Sequence, residues 1–104
     1  MKNKLYYAPR ALRDLDDIWD YIASDLSNTH AAMDITTEIM DSVDRLGDFA
    51  EMGAPLASIV DIESDYRFLV VKDYLVFYRT SGDHVYIDRV LYGRRDYLRI
   101  LFEN

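Results

Sequence analysis

The chain has 104 residues, half of them hydrophobic and 30% charged, which suits one soluble globular domain spanning 1–104 and leaves no room for two. It has no cysteine, so a disulfide framework and thiolate chemistry are excluded, and no stretch approaches the roughly 20 apolar residues of a membrane helix. The net charge of −7 opposes phosphate binding by the chain as a whole, yet residues 1–65 hold five Lys/Arg against fourteen Asp/Glu while residues 66–104 hold seven against five.

The amino terminus lacks the long apolar core of a signal peptide, so a cytoplasmic protein with no membrane association is expected. Lys4-Leu-Tyr-Tyr7 predicts an opening strand, and Pro9 suits the first turn of a helix, where its missing N–H costs nothing. Leu12, Leu15, Ile18, Trp19, Ile22 and Leu26 then recur at spacings of three and four, with Asp14, Asp16, Asp17, Asp20 and Asp25 on the other face. That pattern predicts an amphipathic helix with Trp19 packed inward. Ser27-Asn28-Thr29 supplies caps for a second helix, with Ala32, Ile35, Ile39, Val43 and Leu46 as its apolar face and Gly47 as a left-handed stop. So short a link predicts an antiparallel helical hairpin.

Beyond a loop of small residues, Ile59–Ile62, Tyr66–Val71, Tyr74–Arg79 and His84–Tyr92 are rich in β-branched and aromatic residues and predict four strands. Lys72-Asp73 and Thr80–Asp83 are turn material between them. The middle strands are apolar on both faces, so both faces should be covered. Gly93 ends the last strand, and Arg94 to Phe102 predict a closing helical turn. The expected fold is α+β: an opening strand and helical hairpin packed on an antiparallel sheet, with a short carboxyl-terminal helix.

The last sixteen residues concentrate four arginines and two tyrosines, in RVLYGRRDYLRILF (89–102). Arg89 shares a strand face with Val85, Ile87 and Leu91, which predicts an ion pair, and Arg99 can complement carboxylates of its own helix. His30 lies in a capping region and His84 just past a turn. Two histidines without cysteine make no metal motif, and neither a metal nor another cofactor is expected.

The ordered pieces resemble the RelE/ParE superfamily of type II toxin–antitoxin toxins over essentially the whole chain. Ala8-Pro9-Arg10-Ala11 is similar to the family's S-P-x-A start, Asp14-Leu15…Ile18…Tyr21-Ile22 to its DL-x-x-I-x-x-YI helix, and Leu46…Gly53 to its L…P…G loop. Tyr66-Arg67 with Tyr74–Arg79 looks like its central strand pair, and Asp88–Asp96 like its v-R-V-L-H-g-r-r-D close. Ala8 replaces the usual Ser, Ala50 lies where Pro is typical, and Tyr92 stands where His is common. The acidity also departs from a family that is usually basic.

The resemblance implies a toxin neutralised by a cognate antitoxin, with two target classes. Members that cut mRNA on the ribosome carry an arginine at about the position of Leu75 and a lysine near Leu69 or Val70; neither side chain here can donate to a phosphate, and no base is evident. Members that inhibit DNA gyrase need an exposed arginine and aromatic surface, a composition typical of interface hot spots. The expectation is therefore gyrase inhibition, with Arg67, Tyr92, Arg94, Arg95 and Tyr97 as target-binding residues and no assigned catalytic residue. The alternatives are a ribosome-dependent endoribonuclease and a non-toxic interaction module that kept the fold.

Overall fold

The computed structural model describes residues 2–102. Strand β1 (Lys4–Tyr7) leads into α1 (Pro9–Asp20), which continues as a π-helical turn (Tyr21–Asp25) before α2 (Thr29–Arg45). Then follow β2 (Ala54–Pro55), a 3₁₀ turn (Leu56–Ser58), β3 (Arg67–Val71), β4 (Tyr74–Ser81), β5 (His84–Tyr92) and α3 (Tyr97–Phe102). The five strands form one sheet in the order β1-β5-β4-β3-β2. It is antiparallel from β2 to β5, and β1 adds at the edge, parallel to β5.

The hairpin forms as its sequence predicts. Pro9 opens α1 after an extended Ala8 that makes no side-chain cap, so Pro9, lacking an N–H, leaves one fewer donor to satisfy there. Asn28 caps α2 by accepting from Ala31 N–H at 3.0 Å, and Ser27 takes a left-handed φ of 51° to turn the chain. Ala11, Leu15, Ile18 and Ile22 face Ala32, Ile39, Val43 and Leu46, and both sets pack on Leu69, Val71, Val76, Tyr78, Val85, Ile87 and Val90 of the sheet. Trp19 is half-buried against this core. Each large apolar side chain so buried contributes about 1.5–3 kcal/mol. The opposite sheet face carries a smaller core of Leu56, Phe77 and Leu91, covered by Tyr97, Leu98, Ile100 and Leu101 of α3. Both faces are thus covered, as the apolar runs require.

Four expectations are corrected. Leu12 and Leu26, placed on the buried face by spacing, are 51% and 55% exposed. Leu12 lies at the outer edge of the apolar stripe, and Leu26 follows the π turn, which rotates the chain out of register. Asp14, assigned to the solvated face, is buried; it shares the inward stripe with Ala11, Leu15 and Ile18. Gly47 is not left-handed: the chain goes on winding, with Gly47 N–H on Asp44 C=O and Asp48 N–H on Arg45 C=O, so the last carbonyls find partners without a reversal.

Finally, Ile59–Ile62 is not a strand. The 3₁₀ turn runs into it through Ile59 and Val60 N–H groups on Leu56 C=O, and Ile59 and Ile62 stay exposed. Only Val60 reaches a core, so β-branched propensity lacks the packing that would realise it. The second strand is instead Ala54–Pro55, paired with Phe68 and Arg67. The loop before it hangs on Tyr78, whose buried hydroxyl accepts from Gly53 N–H (2.9 Å) and donates to Ala50 C=O (2.8 Å). A Cβ on Gly53 would lie 2.6 Å from that hydroxyl, so this position needs glycine.

Candidate target-binding surface

The arginine-rich stretch begins inside β5, at an irregularity in the ladder. Phe77 pairs with Arg89 and Tyr78 with Ile87, so Asp88 is skipped as a β-bulge. A bulge inserts unpaired groups into a sheet, and here each charged one is matched. Asp88 accepts from Tyr66 Oη and from Arg79 Nε, both at 2.9 Å, with the Arg79 guanidinium 5.3 Å over the Tyr66 ring. Burial first, and then Asp88, push the Tyr66 hydroxyl up to about 12. Arg89 makes a bidentate pair with Asp14 of α1, through Nε to Oδ2 (2.8 Å) and Nη2 to Oδ1 (2.9 Å). Oδ2 also accepts the backbone N–H of Val90 at 2.9 Å. Hydrogen bonding to Asp14 raises the Arg89 pKa against the opposing effect of desolvation. The ion pair expected for Arg89 is present, and its partner is the aspartate that spacing had placed in water.

Past Val90 the surroundings change. Tyr92 is half-buried and meets Tyr74 edge to face at 5.7 Å. Gly93 N–H donates to Asp73 C=O at 2.7 Å, and a Cβ there would crowd the same oxygen at 3.2 Å. Arg95 N–H returns to Tyr92 C=O (3.1 Å) and Tyr97 N–H to Arg95 C=O (2.8 Å), making a tight turn at Gly93–Asp96. Arg94 and Arg95 are exposed on this turn, and among the described residues neither guanidinium has a protein partner within hydrogen-bond or ion-pair distance. Arg99 pairs loosely with Asp96, at 3.6 Å, with both side chains exposed.

Of the five sequence-predicted residues, Tyr92, Arg94 and Arg95 come together at this turn. Tyr92 and Arg95 also line a cleft of about 690 Å³ between the helical hairpin and the end of the sheet. Ile18, Ile22, Tyr21 and Tyr74 are among its apolar and aromatic lining, and Asp17, Lys72 and Asp73 among its polar lining. Tyr97 faces the other way, stacked on Phe77 at 5.5 Å in the core under α3. Arg67 stands at the opposite end of β3 and clamps the preceding loop, donating to Gly53 C=O (2.7 Å) and Glu51 C=O (3.3 Å).

One exposed group was missed by sequence reasoning. Tyr6 and Tyr86 stack at 5.5 Å on the outer face of β1 and β5, and His84 meets Tyr6 edge-on at 5.4 Å. Only the parallel pairing of β1 with β5 brings Tyr6 opposite Tyr86, and alternation within each strand cannot reveal it.

A helical hairpin over one face of the sheet, a short helix sealing the other, and an arginine turn at the end of β5 define the toxins of the RelE/ParE superfamily as the class. A family model, described as the ParE toxin of the type II toxin–antitoxin system parDE, matches residues 5–97, and the chain belongs to that family. Its structure is similar to one solved for the chromosomal ParDE toxin–antitoxin system of P. aeruginosa, with a TM-score of 0.73 and 25% identity over 88% of this chain and 96% of that one. Among curated proteins, none matches the chain by sequence. No helix among the described residues is long and apolar enough to cross a membrane.

Proposed function

We propose that this ParE-family toxin inhibits DNA gyrase by docking Arg94, Arg95 and Tyr92 on it, and that it does not cleave RNA. The observation that carries the reading is the pair of exposed guanidinium groups, without a partner among the described residues, on a turn held at both ends by backbone hydrogen bonds. Arginine beside tyrosine on a rigid support is the composition of an interface hot spot, and prior ordering lowers the entropy lost on docking.

The groups that RNA cleavage would need are occupied or absent. Leu75, near the position where RNA-cutting members carry arginine, packs on the apolar core under α3. Arg79 and Arg89 are taken by Asp88 and Asp14. A phenol pushed up to about 12 is poorly matched to proton transfer at neutral pH. His84 lies at the far end of β5, against Tyr6 and Tyr86.

Replacing Arg94 and Arg95 together by alanine is expected to reduce inhibition of gyrase supercoiling at least tenfold while leaving thermal unfolding unchanged. Message cleaved on programmed ribosomes, with supercoiling intact, would overturn the proposal. The cognate antitoxin is proposed to cover the acidic hairpin with a segment more basic or more apolar than is usual for the family. Where the match is one of charge, affinity of the pair falls as salt rises, by screening; affinity rising with salt contradicts the charge match.

A further inference from the structure

We infer that Asp14 is a positioning residue for the Arg94–Arg95 turn, acting through Val90 and Arg89 from a different element of the fold. The inference rests on the proposed role of that turn as the target contact.

The need for such a residue follows from strand lengths. Strand β5 runs from His84 to Tyr92, whereas β1 pairs only with His84–Ile87 before Ala8-Pro9 turns the chain into α1. From Asp88 onward β5 therefore has no β1 residue beside it, and the bulge falls at this point, where β4 is its one remaining strand neighbour. The second turn of α1 supplies what β1 does not: Asp14 Oδ2 accepts Val90 N–H while both carboxylate oxygens hold Arg89. One buried carboxylate thus stands in for a missing strand neighbour, with three charge-assisted hydrogen bonds that specify direction as well as distance.

Geometry decides why direction matters. Arg94 lies four residues beyond Val90, a reach of about 13 Å in extended chain. An error of about 15° at Val90 would then move the turn by roughly 3 Å, against the roughly 0.5 Å tolerance of a working site. Burying an ion pair adds little stability over an apolar pair of similar volume, so what Asp14 and Arg89 contribute beyond packing is aim. The tip has further restraints, the pairing of Val90, Leu91 and Tyr92 with Val76, Leu75 and Tyr74 of β4 and Gly93 N–H on Asp73 C=O, but these hold the β4 side of β5 and leave its open edge to Asp14.

The test separates aim from stability. In the double variant Asp14→Leu/Arg89→Met both charges leave together and only Val90 N–H loses its acceptor, so thermal unfolding should fall by about 5–15 °C, less than for Asp14→Ala. Amide hydrogen exchange at Gly93–Tyr97 should accelerate at least tenfold, and inhibition of purified gyrase should fall at least tenfold. Asp14→Asn, which retains an acceptor for Val90 N–H, should give intermediate values of both and serves as the readout if the double variant does not fold. Unchanged exchange, or faster exchange with full inhibition, overturns the inference. Full inhibition by Arg94→Ala/Arg95→Ala would instead defeat the target reading, and the exchange measurement reports on aim independently of it.

Discussion

The middle and the tip of β5 lie a few residues apart and treat arginine in opposite ways. At the bulge, Arg89 and Arg79 are matched by Asp14 and Asp88, with aromatic and backbone partners completing each network. At the tip, Arg94 and Arg95 face solvent from a tight turn. A guanidinium can be removed from water only where a carboxylate meets it in good geometry, because an unmatched buried charge costs several kcal/mol. Among the described residues no carboxylate pairs with Arg94 or Arg95, so their charges stay available to another molecule. The contrast teaches that an arginine-rich stretch divides by the depth of each residue in the sheet, not by its position in the sequence.

The sharpest way to break the contrast is to strip one side of the matched pair. Asp14→Ala leaves Arg89 enclosed without its carboxylate and Val90 N–H without an acceptor. The expected loss is about 3–5 kcal/mol, read from chemical denaturation. The same truncation at the tip, Arg94→Ala, should stay within about 0.5 kcal/mol of the parent, as surface substitutions usually do. Equal losses at the two sites would erase the distinction.

A smaller effect comes from the other side of the bulge. Tyr66 and Tyr7 are both held at about 12, chiefly by burial, with Asp88 adding to the first and Asp44 to the second. The folded chain therefore binds these protons more tightly than the unfolded chain, whose tyrosines titrate near 10. That stability is fully present below about pH 10 and is lost as pH rises from 10 through 12. Thermal unfolding between pH 9 and 12 should show the fall, and Tyr7→Phe should flatten part of it. A melting temperature independent of pH across this range would contradict the burial of both hydroxyls.

Much of this arrangement can be read from the chain, and the unread part has a common cause. Local signals carried the helices: Pro9, the Ser27–Thr29 cap and the three-and-four spacing are each satisfied within a few residues of sequence. Gly93 and the outward arginines beside it were legible because a turn is local too. Asp14 was misread since its partner is 75 residues away; a carboxylate at a core-facing spacing was the available signal. Arg67 and Tyr97 failed to join the tip for the same reason, since the carbonyls of Glu51 and Gly53 and the ring of Phe77 are tertiary neighbours. The four residues from Ile59 show the converse, where strong β propensity met no strand to pair with.

The smallest expected effect tests where the tip ends. Arg99 is exposed like Arg94 and Arg95, but it lies within α3 and has Asp96 at 3.6 Å, in an i,i+3 arrangement with both side chains exposed. Such a pair contributes at most about 0.5 kcal/mol, because both ends are solvated and two long side chains must be held together. Arg99→Ala should therefore leave unfolding nearly unchanged. It should also change gyrase inhibition less than twofold, since Asp96 dampens its charge and α3 directs its neighbours Leu98, Ile100 and Leu101 into the core under the sheet. Supercoiling assays run beside Arg94→Ala decide the matter. If Arg99→Ala lost as much inhibition as Arg94→Ala, the working surface would extend along α3, and the tip would be one part of a longer cationic stripe.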